Sequence, residues 1–251
     1  MNKRRSILPA ARPDWAFFLD VDGTLIEFAD SPGAVHVDDA LLGLVARLHR
    51  TCGGALALIS GRCLTDLEQR LGSVRIPLAG QHGLERRDAG GRRHAHATPA
   101  AQKRELRQRL DSLVAQHPGL LLEDKGLTLA LHYRQAPQLA AWLHRLLGRL
   151  IEQTEGLQLQ KGKRVLEIKP AGFDKGSAIA EFMAEAPFHG RIPVFIGDDV
   201  TDEDGFARVN LLGGHSIKVG AGMTAARYRL ADVPSVRDWL AGAIVEQGDI
   251  A

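Results

Sequence analysis

An α/β fold is what this sequence predicts: a parallel sheet covered by helices, interrupted by a smaller α+β module. Three observations carry the prediction. Short apolar runs alternate with helical patterns over the first 80 residues, and the last 80 residues repeat that texture. Between them, residues 86–171 read as helices and hairpins. A β-α-β order calls for parallel strands with covering helices, because a crossover must return over a face of the sheet.

"WAFFLD", Trp15 to Asp20, is the first strand, an unbroken apolar run of the kind buried on both faces. A helix follows with Asp38 or Asp39 as N-cap, since Leu41, Leu44, Val45 and Leu48 recur at i, i+3, i+4 and i+7. "ALALIS", Ala55 to Ser60, is the next strand. Leu64, Leu67 and Leu71 mark a short helix closed by Gly72, and "IPLAG" is the third strand. Late in the chain a helix is expected over Lys175–Ala186, with Ile179, Phe182 and Met183 on one face. "IPVFIGDD" is a strand running into acid, "HSIKVG" another strand, and a terminal helix starts near Ser235.

The middle segment has a different grammar. A helical pattern through Leu106, Leu110, Leu113 and Val114 stops at Pro118-Gly119. "LLLED", a turn at Lys125-Gly126 and "LTLALHYR" form a hairpin whose second arm alternates, with Leu127, Leu129, Leu131 and Tyr133 on one face. A helix after Pro137 carries Leu139, Leu143, Leu146 and Leu150, and a second hairpin, "LQLQ" and "RVLEIK", turns around Lys161-Gly162. The order α-β-β-α-β-β predicts an antiparallel sheet with helices on one face. The expected division is residues 1–85 and 172–251 as two parts of one core, with 86–171 inserted between them.

Composition narrows the function. With 45% hydrophobic and 25% charged residues the chain is ordinary globular material, and a net charge of +2 gives no argument for nucleic acid or a membrane surface. The basic clusters "NKRRS" and "RRDAGGRRH" are short and read as solvated faces. Cys52 and Cys63 match no metal spacing and read as reduced thiols. The N-terminus lacks a signal-peptide core, and no run approaches the roughly 20 apolar residues that span a bilayer. A cytoplasmic protein is expected.

Four sets of polar residues fall at strand ends or beside them, where an open parallel sheet gathers its ligands. They are Asp20 and Asp22; Ser60 with Gly61 and Arg62; Lys175 in the first turn of its helix; and Asp198 and Asp199 with Asp202 close behind. A lone acid pair after a strand is usually a turn former, through side-chain to backbone hydrogen bonds. The full set is chemically coherent instead. Carboxylates from two strands can hold a hard cation such as Mg²⁺, while a hydroxyl, loop N–H groups and an ammonium suit phosphate oxygens. One aspartate of the pair can attack phosphorus and the other can move the proton. Competing motifs fail. A calcium loop with Gly205 sixth would begin at Val200 and end at Leu211, where acids are needed. "GGALALISGR" has no Gly-Lys-Ser/Thr ending. His94 and His96 suggest a surface loop rather than a metal site.

With "DVDGT", "ISGR", Lys175 and "GDDVTD" in that order, the sequence resembles a phosphatase of the haloacid-dehalogenase superfamily. More narrowly it resembles the trehalose-6-phosphate phosphatases over nearly its whole length, through "GQHG", "LEDKGLTLALHYR", "VLEIKPAGFDKG", "GDDVTDEDGF" and "IKVGAGMTAARYRL". The resemblance implies a Rossmann-like core with the inserted module as a cap closing over a sugar. It implies Asp20 as nucleophile and Asp22 as acid/base. Mg²⁺ would sit on Asp20, the main-chain carbonyl of Asp22 and an acid of "GDD", with Asp198 favoured and Asp199 and Asp202 supporting. Ser60, Gly61 and Lys175 would bind phosphate. Arg62, His82, Glu123, Lys125, His132, Arg134 and Glu167 would contact substrate. The implied reaction is hydrolysis of trehalose 6-phosphate, the last step of trehalose biosynthesis; neither nucleic acid nor a membrane is expected as a partner, and the sequence leaves the oligomeric state open, with a monomer favoured. Two alternatives stay open: a related phosphatase for another sugar phosphate, of sucrose-phosphate type, and a non-catalytic sugar-phosphate sensor.

Overall fold

A computed structural model of the chain describes residues 8–27, 37–96, 98–162 and 164–245. The chain divides into two compact units, one made of residues 1–94 with 173–251 and the other of residues 95–172. The basic cluster "NKRRS" at residues 2–6 lies outside the described residues.

The first unit is built on an eight-stranded sheet. Its strands are β1 (Trp15–Leu19), β2 (Leu56–Ile59), β3 (Leu78–Gly80), β4 (Glu85–Arg87), β5 (Arg93–Ala95), β10 (Ile192–Gly197), β11 (His215–Val219) and β12 (Tyr228–Leu230), in spatial order β12-β11-β10-β1-β2-β3-β4-β5. The six strands from β12 to β3 run parallel, and β4 returns antiparallel. Alternation along β1 explains the two layers of helices. Phe17 and Leu19 join one buried cluster, with Leu41, Leu44 and Leu48 of α1 (Asp39–Thr51), Leu64 and Leu67 of α2 (Leu64–Leu71), and Val236 and Leu240 of α7 (Val233–Val245). Ala16 and Phe18 join the other, with Ile179 and Phe182 of α5 (Lys175–Met183) and Phe206 and Val209 of α6 (Glu203–Leu211). Both faces of the sheet are covered, which is why its central strands are apolar throughout.

Local signals set the ends of these helices. Asp38 caps α1, its Oδ1 accepting from Leu41 N at 2.6 Å. Gly72 closes α2 at φ 56, and Asp174 with Ser177 forms a capping box at the start of α5. Four elements were not legible in the sequence: β12, α6, β4 and β5. β4 hides because its inward residue is Arg86, 8% exposed, held by Glu181 at 2.5 Å and Glu185 at 2.6 Å and lying over Phe182. A paired cation leaves no apolar alternation to read. The boundary expected at residue 86 therefore falls inside β4, which pairs with β3 in the large sheet.

The second unit holds α3 (Ala100–Gln116), β6 (Leu121–Asp124), β7 (Leu129–His132), α4 (Ala140–Glu152), β8 (Leu157–Gly162) and β9 (Val165–Pro170), with strand order β6-β7-β9-β8, all antiparallel. Leu129, Leu131 and Tyr133 pack with Leu106 and Leu110 of α3 as the alternation predicts, whereas Leu127 stands outside that cluster. The buried stripe of α4 is Leu143, Leu147 and Ile151; Leu146, expected inside, is 38% exposed. The two candidate stripes differ by a small rotation of the helix, and only the packing chooses between them. The second hairpin closes two residues later than expected, with Gly162 paired to Val165.

Candidate active site

Asp20 leaves β1 at the carboxyl end of the sheet, next to the ends of β10 and β2. Its carboxylate is 4% exposed and accepts a 2.6 Å hydrogen bond from Lys175 Nζ. The same ammonium, carried by the first residue of α5, donates at 2.6 Å to Asp202 Oδ1. Burial works against a charged lysine, yet the two carboxylates outweigh it and hold Lys175 above its ordinary pKa. Burial pushes Asp20 well above the usual carboxylate range, and the carboxylates of Asp202 and Asp198 add to this against the pull of Lys175.

Asp202 organises the turn after β10. Its Oδ2 accepts from the N–H groups of Asp198 and Asp199, both at 2.8 Å. The turn places Asp198 toward Asp20, so that one oxygen from each of Asp20, Asp198 and Asp202 lies within 4.8 Å of the others. Thr24 Oγ1 donates to Asp198 Oδ1 at 3.4 Å. Asp198 is pushed up to about 6 by burial and by Asp202 and Asp199 beside it. Three converging hard oxygen donors, two of them (Asp20 and Asp198) held reluctantly as anions, fit a divalent cation of the Mg²⁺ class. Asp199 is exposed and outside this group, its N–H donating to Asp202 Oδ2 at the start of the next turn. Asp202, expected only in support, stands in the cluster instead.

Gly23 makes the approach possible. It sits at φ 84, and a Cβ there would lie 2.4 Å from Asp198 Oδ2. Only glycine tolerates both the conformation and the contact. Its N–H donates to Ile26 O at 2.7 Å, closing the turn that carries Asp22. Asp22 is gripped by Arg62, Nε at 2.7 Å from Oδ2 and Nη2 at 2.6 Å from Oδ1. Arg62 Nη1 also donates to Asp66 at 2.9 Å, and Asp66 accepts from Arg70 at 2.8 Å.

Ser60, 1% exposed, stands at the end of β2, its Oγ accepting from Arg62 N at 3.1 Å. Its carbonyl accepts from His82 N at 2.9 Å, and Arg62 O accepts from Gln81 N at 2.8 Å, tying this loop to the turn after β3. Gln81 and His82 take positive φ, 46° and 57°, to make that turn. His82 packs so closely on Gly61 that a Cβ there would lie 2.7 Å from the imidazole.

The structure thus brings Asp20, Asp22, Ser60, Gly61, Arg62, His82, Lys175 and Asp198 to one end of the large sheet. Asp199 and Asp202 share the turn of Asp198, and the other expected residues lie on the second unit. Glu123 Oε2 is 2.8 Å from His132 Nε2 across β6 and β7, and Lys125 Nζ is 3.8 Å from Glu167 Oε2. Arg134 is exposed beyond β7. Sequence reasoning missed Thr24, Asp66 and Thr128. Thr24 stands within the quoted "DVDGT", but its polar role shows only once Asp198 folds against it.

Comparison with known proteins agrees with this geometry. The family model described as trehalose-phosphatase matches residues 18–234. The trehalose-6-phosphate phosphatase of Escherichia coli is 50% identical over 232 residues, covering 92% of this chain and 87% of its own. A probable trehalose-phosphate phosphatase of Sinorhizobium fredii is 43% identical, covering 92% and 86%. Among solved structures, the C-terminal domain of Candida albicans trehalose-6-phosphate phosphatase superposes with TM-score 0.81 at 22% identity, covering 92% of each chain. A haloalkanoate-superfamily phosphatase from Bacteroides thetaiotaomicron gives 0.64 at 15% identity, covering 95% and 97%. At those identities the two structures speak for the fold.

Proposed function

Because the chain belongs to the trehalose-phosphatase family, we propose that it hydrolyses trehalose 6-phosphate to trehalose and phosphate through an aspartyl-phosphate, with Mg²⁺ in the site. The fold is that of the haloacid-dehalogenase superfamily. The observation that carries the chemistry is the buried Asp20 carboxylate, paired with Lys175 and faced by Asp198.

In this reading an Asp20 oxygen bonds to phosphorus as the bond from phosphorus to the sugar oxygen breaks. Asp22 gives the leaving oxygen its proton, then takes one from the water that attacks the aspartyl-phosphate and frees Asp20. Arg62 holds both oxygens of Asp22 and so fixes the direction in which its remaining lone pairs face for that transfer. Ser60, the Gly61 N–H and Lys175 orient the phosphate oxygens. Asp20, Asp198 and Asp202, with the Asp22 carbonyl, would hold Mg²⁺, which supplies charge neutralisation at the phosphoryl group when bound.

Sugar recognition falls to the polar face of the smaller sheet, through Glu123, Lys125, His132, Arg134 and Glu167. A site built to bond hydroxyls rejects molecules without them, because its own polar groups are then left unpaired. Among the described residues no helix is long and apolar enough to cross a membrane. The two free cysteines suit the reducing cytoplasm, where we place the enzyme as a monomer. Phosphate release from a panel of sugar phosphates, with and without Mg²⁺, tests the whole reading. Trehalose 6-phosphate is expected to be the best substrate, and equal rates on sucrose 6-phosphate or glucose 6-phosphate would overturn the specificity.

A further inference from the structure

Thr128, at the start of the second arm of the β6–β7 hairpin, donates from Oγ1 to Glu167 Oε1 at 2.6 Å. Both residues are buried, 1% and 5% exposed. Glu167 lies on β9 opposite Ala130 of β7, so Thr128 reaches it diagonally on the same face of the sheet. The other oxygen of Glu167, Oε2, is the one 3.8 Å from Lys125 Nζ. Lys125 N in turn donates to Thr128 O at 3.1 Å, which closes the hairpin tip. Two residues at the base of one turn therefore address the two oxygens of one carboxylate.

We propose that Thr128 is a positioning residue for sugar specificity: its hydroxyl fixes the carboxylate plane of Glu167, so that Oε2 and the Lys125 ammonium are presented together to a sugar hydroxyl. The physical need is clear. The terminal torsion of a glutamate is broad, and a carboxylate free to rotate loses entropy whenever it binds. A charge-assisted hydrogen bond at 2.6 Å removes that freedom before the ligand arrives. Thr128 touches no reacting atom in this scheme, so its removal weakens sugar binding and leaves phosphoryl chemistry alone.

The inference rests on the reading of Glu167 as a sugar-binding residue, and one experiment separates the two. Thr128→Val keeps the shape and removes the hydroxyl, while Thr128→Ser keeps the hydroxyl. For Thr128→Val, KM for trehalose 6-phosphate should rise roughly tenfold, the size of one hydrogen bond to a charged group. Its kcat, and its kcat/KM for p-nitrophenyl phosphate, should stay at the wild-type level. Thr128→Ser should recover most of the KM. Adding Thr128→Val to Glu167→Ala should cost nothing further. If Glu167→Ala impairs trehalose 6-phosphate hydrolysis but Thr128→Val does not, the positioning role is wrong. If Glu167→Ala has no effect, the sugar-binding reading beneath it is wrong. Should Thr128→Val fail to fold, a Thr128→Ser enzyme with a KM as high as that of Glu167→Ala would equally overturn the proposal.

Discussion

Lys175 Nζ sits midway in an acid–base–acid sandwich, 2.6 Å from Asp20 Oδ1 and 2.6 Å from Asp202 Oδ1, with 3% of its side chain exposed. Lys175→Met keeps the length and deletes the charge, leaving two buried carboxylates facing each other. Breaking a buried pair from one side typically costs about 3–5 kcal/mol. A drop in Tm of roughly 10 °C is expected for a chain of this size, together with loss of phosphatase activity. Thermal unfolding followed by circular dichroism checks the first, phosphate release the second. A variant as stable as the wild type would mean that the sandwich contributes nothing net.

The two aspartates of the β1 turn should fail differently. Asp20→Asn is expected to abolish turnover of every substrate, because an amide cannot form the acyl phosphate. Asp22→Asn should slow trehalose 6-phosphate hydrolysis by about 10²–10⁴-fold, the usual worth of general acid/base help. An aryl phosphate with a good leaving group needs less protonation, and should lose less in single-turnover measurements of its first step. Comparable losses on both substrates would remove Asp22 from proton transfer.

Arg62 holds Asp22 with a two-pronged fork, which a lysine cannot reproduce. Turnover of trehalose 6-phosphate should therefore fall in the order wild type, Arg62→Lys, Arg62→Ala. Full activity in Arg62→Ala would show that the fork is dispensable.

Asp198 makes a prediction about acid and metal together. Its pKa in the folded chain is about 6, above the ordinary carboxylate value of 3.8. The folded state then holds a proton that the unfolded state has given up, so the contribution of Asp198 to the stability of the metal-free protein is lost as pH rises from about 4 to 6. In Asp198→Asn that contribution is absent. The Tm difference between metal-free wild type and Asp198→Asn should thus shift against the wild type across this window. Mg²⁺ requires the ionised form, so its stabilisation of the wild type should grow over the same rise in pH. Parallel Tm–pH curves for the two proteins in chelator would contradict the site.

Much of this was written in the chain. The apolar run of β1, the cap at Asp38 and the alternation Leu129, Leu131, Tyr133 are local signals, and each matched its element. Strand-end acids were legible because sheet topology gathers strand ends regardless of side-chain detail. What could not be read was pairing. Lys175 meets Asp20 across 155 positions of sequence, Arg62 meets Asp22 across 40, and Thr128 meets Glu167 across 39. No periodicity encodes such partners. Where a buried cation replaces an apolar residue, as Arg86 does in β4, even the strand disappears from the pattern.

The position of β1 has a consequence for how the protein is made. It is the first strand among the described residues, yet it lies between β2 and β10, and its register runs Trp15 to Ile192 through Leu19 to Ile196. During synthesis β1 can gain β2 early, but its other edge stays open until the chain has been extended past Gly197. The smaller sheet is contiguous in sequence and can close long before that. An emerging chain therefore carries an apolar, half-paired strand until β10 has been made, and a ribosome stalled before residue 192 would release a molecule with a sticky edge and only part of its acid cluster.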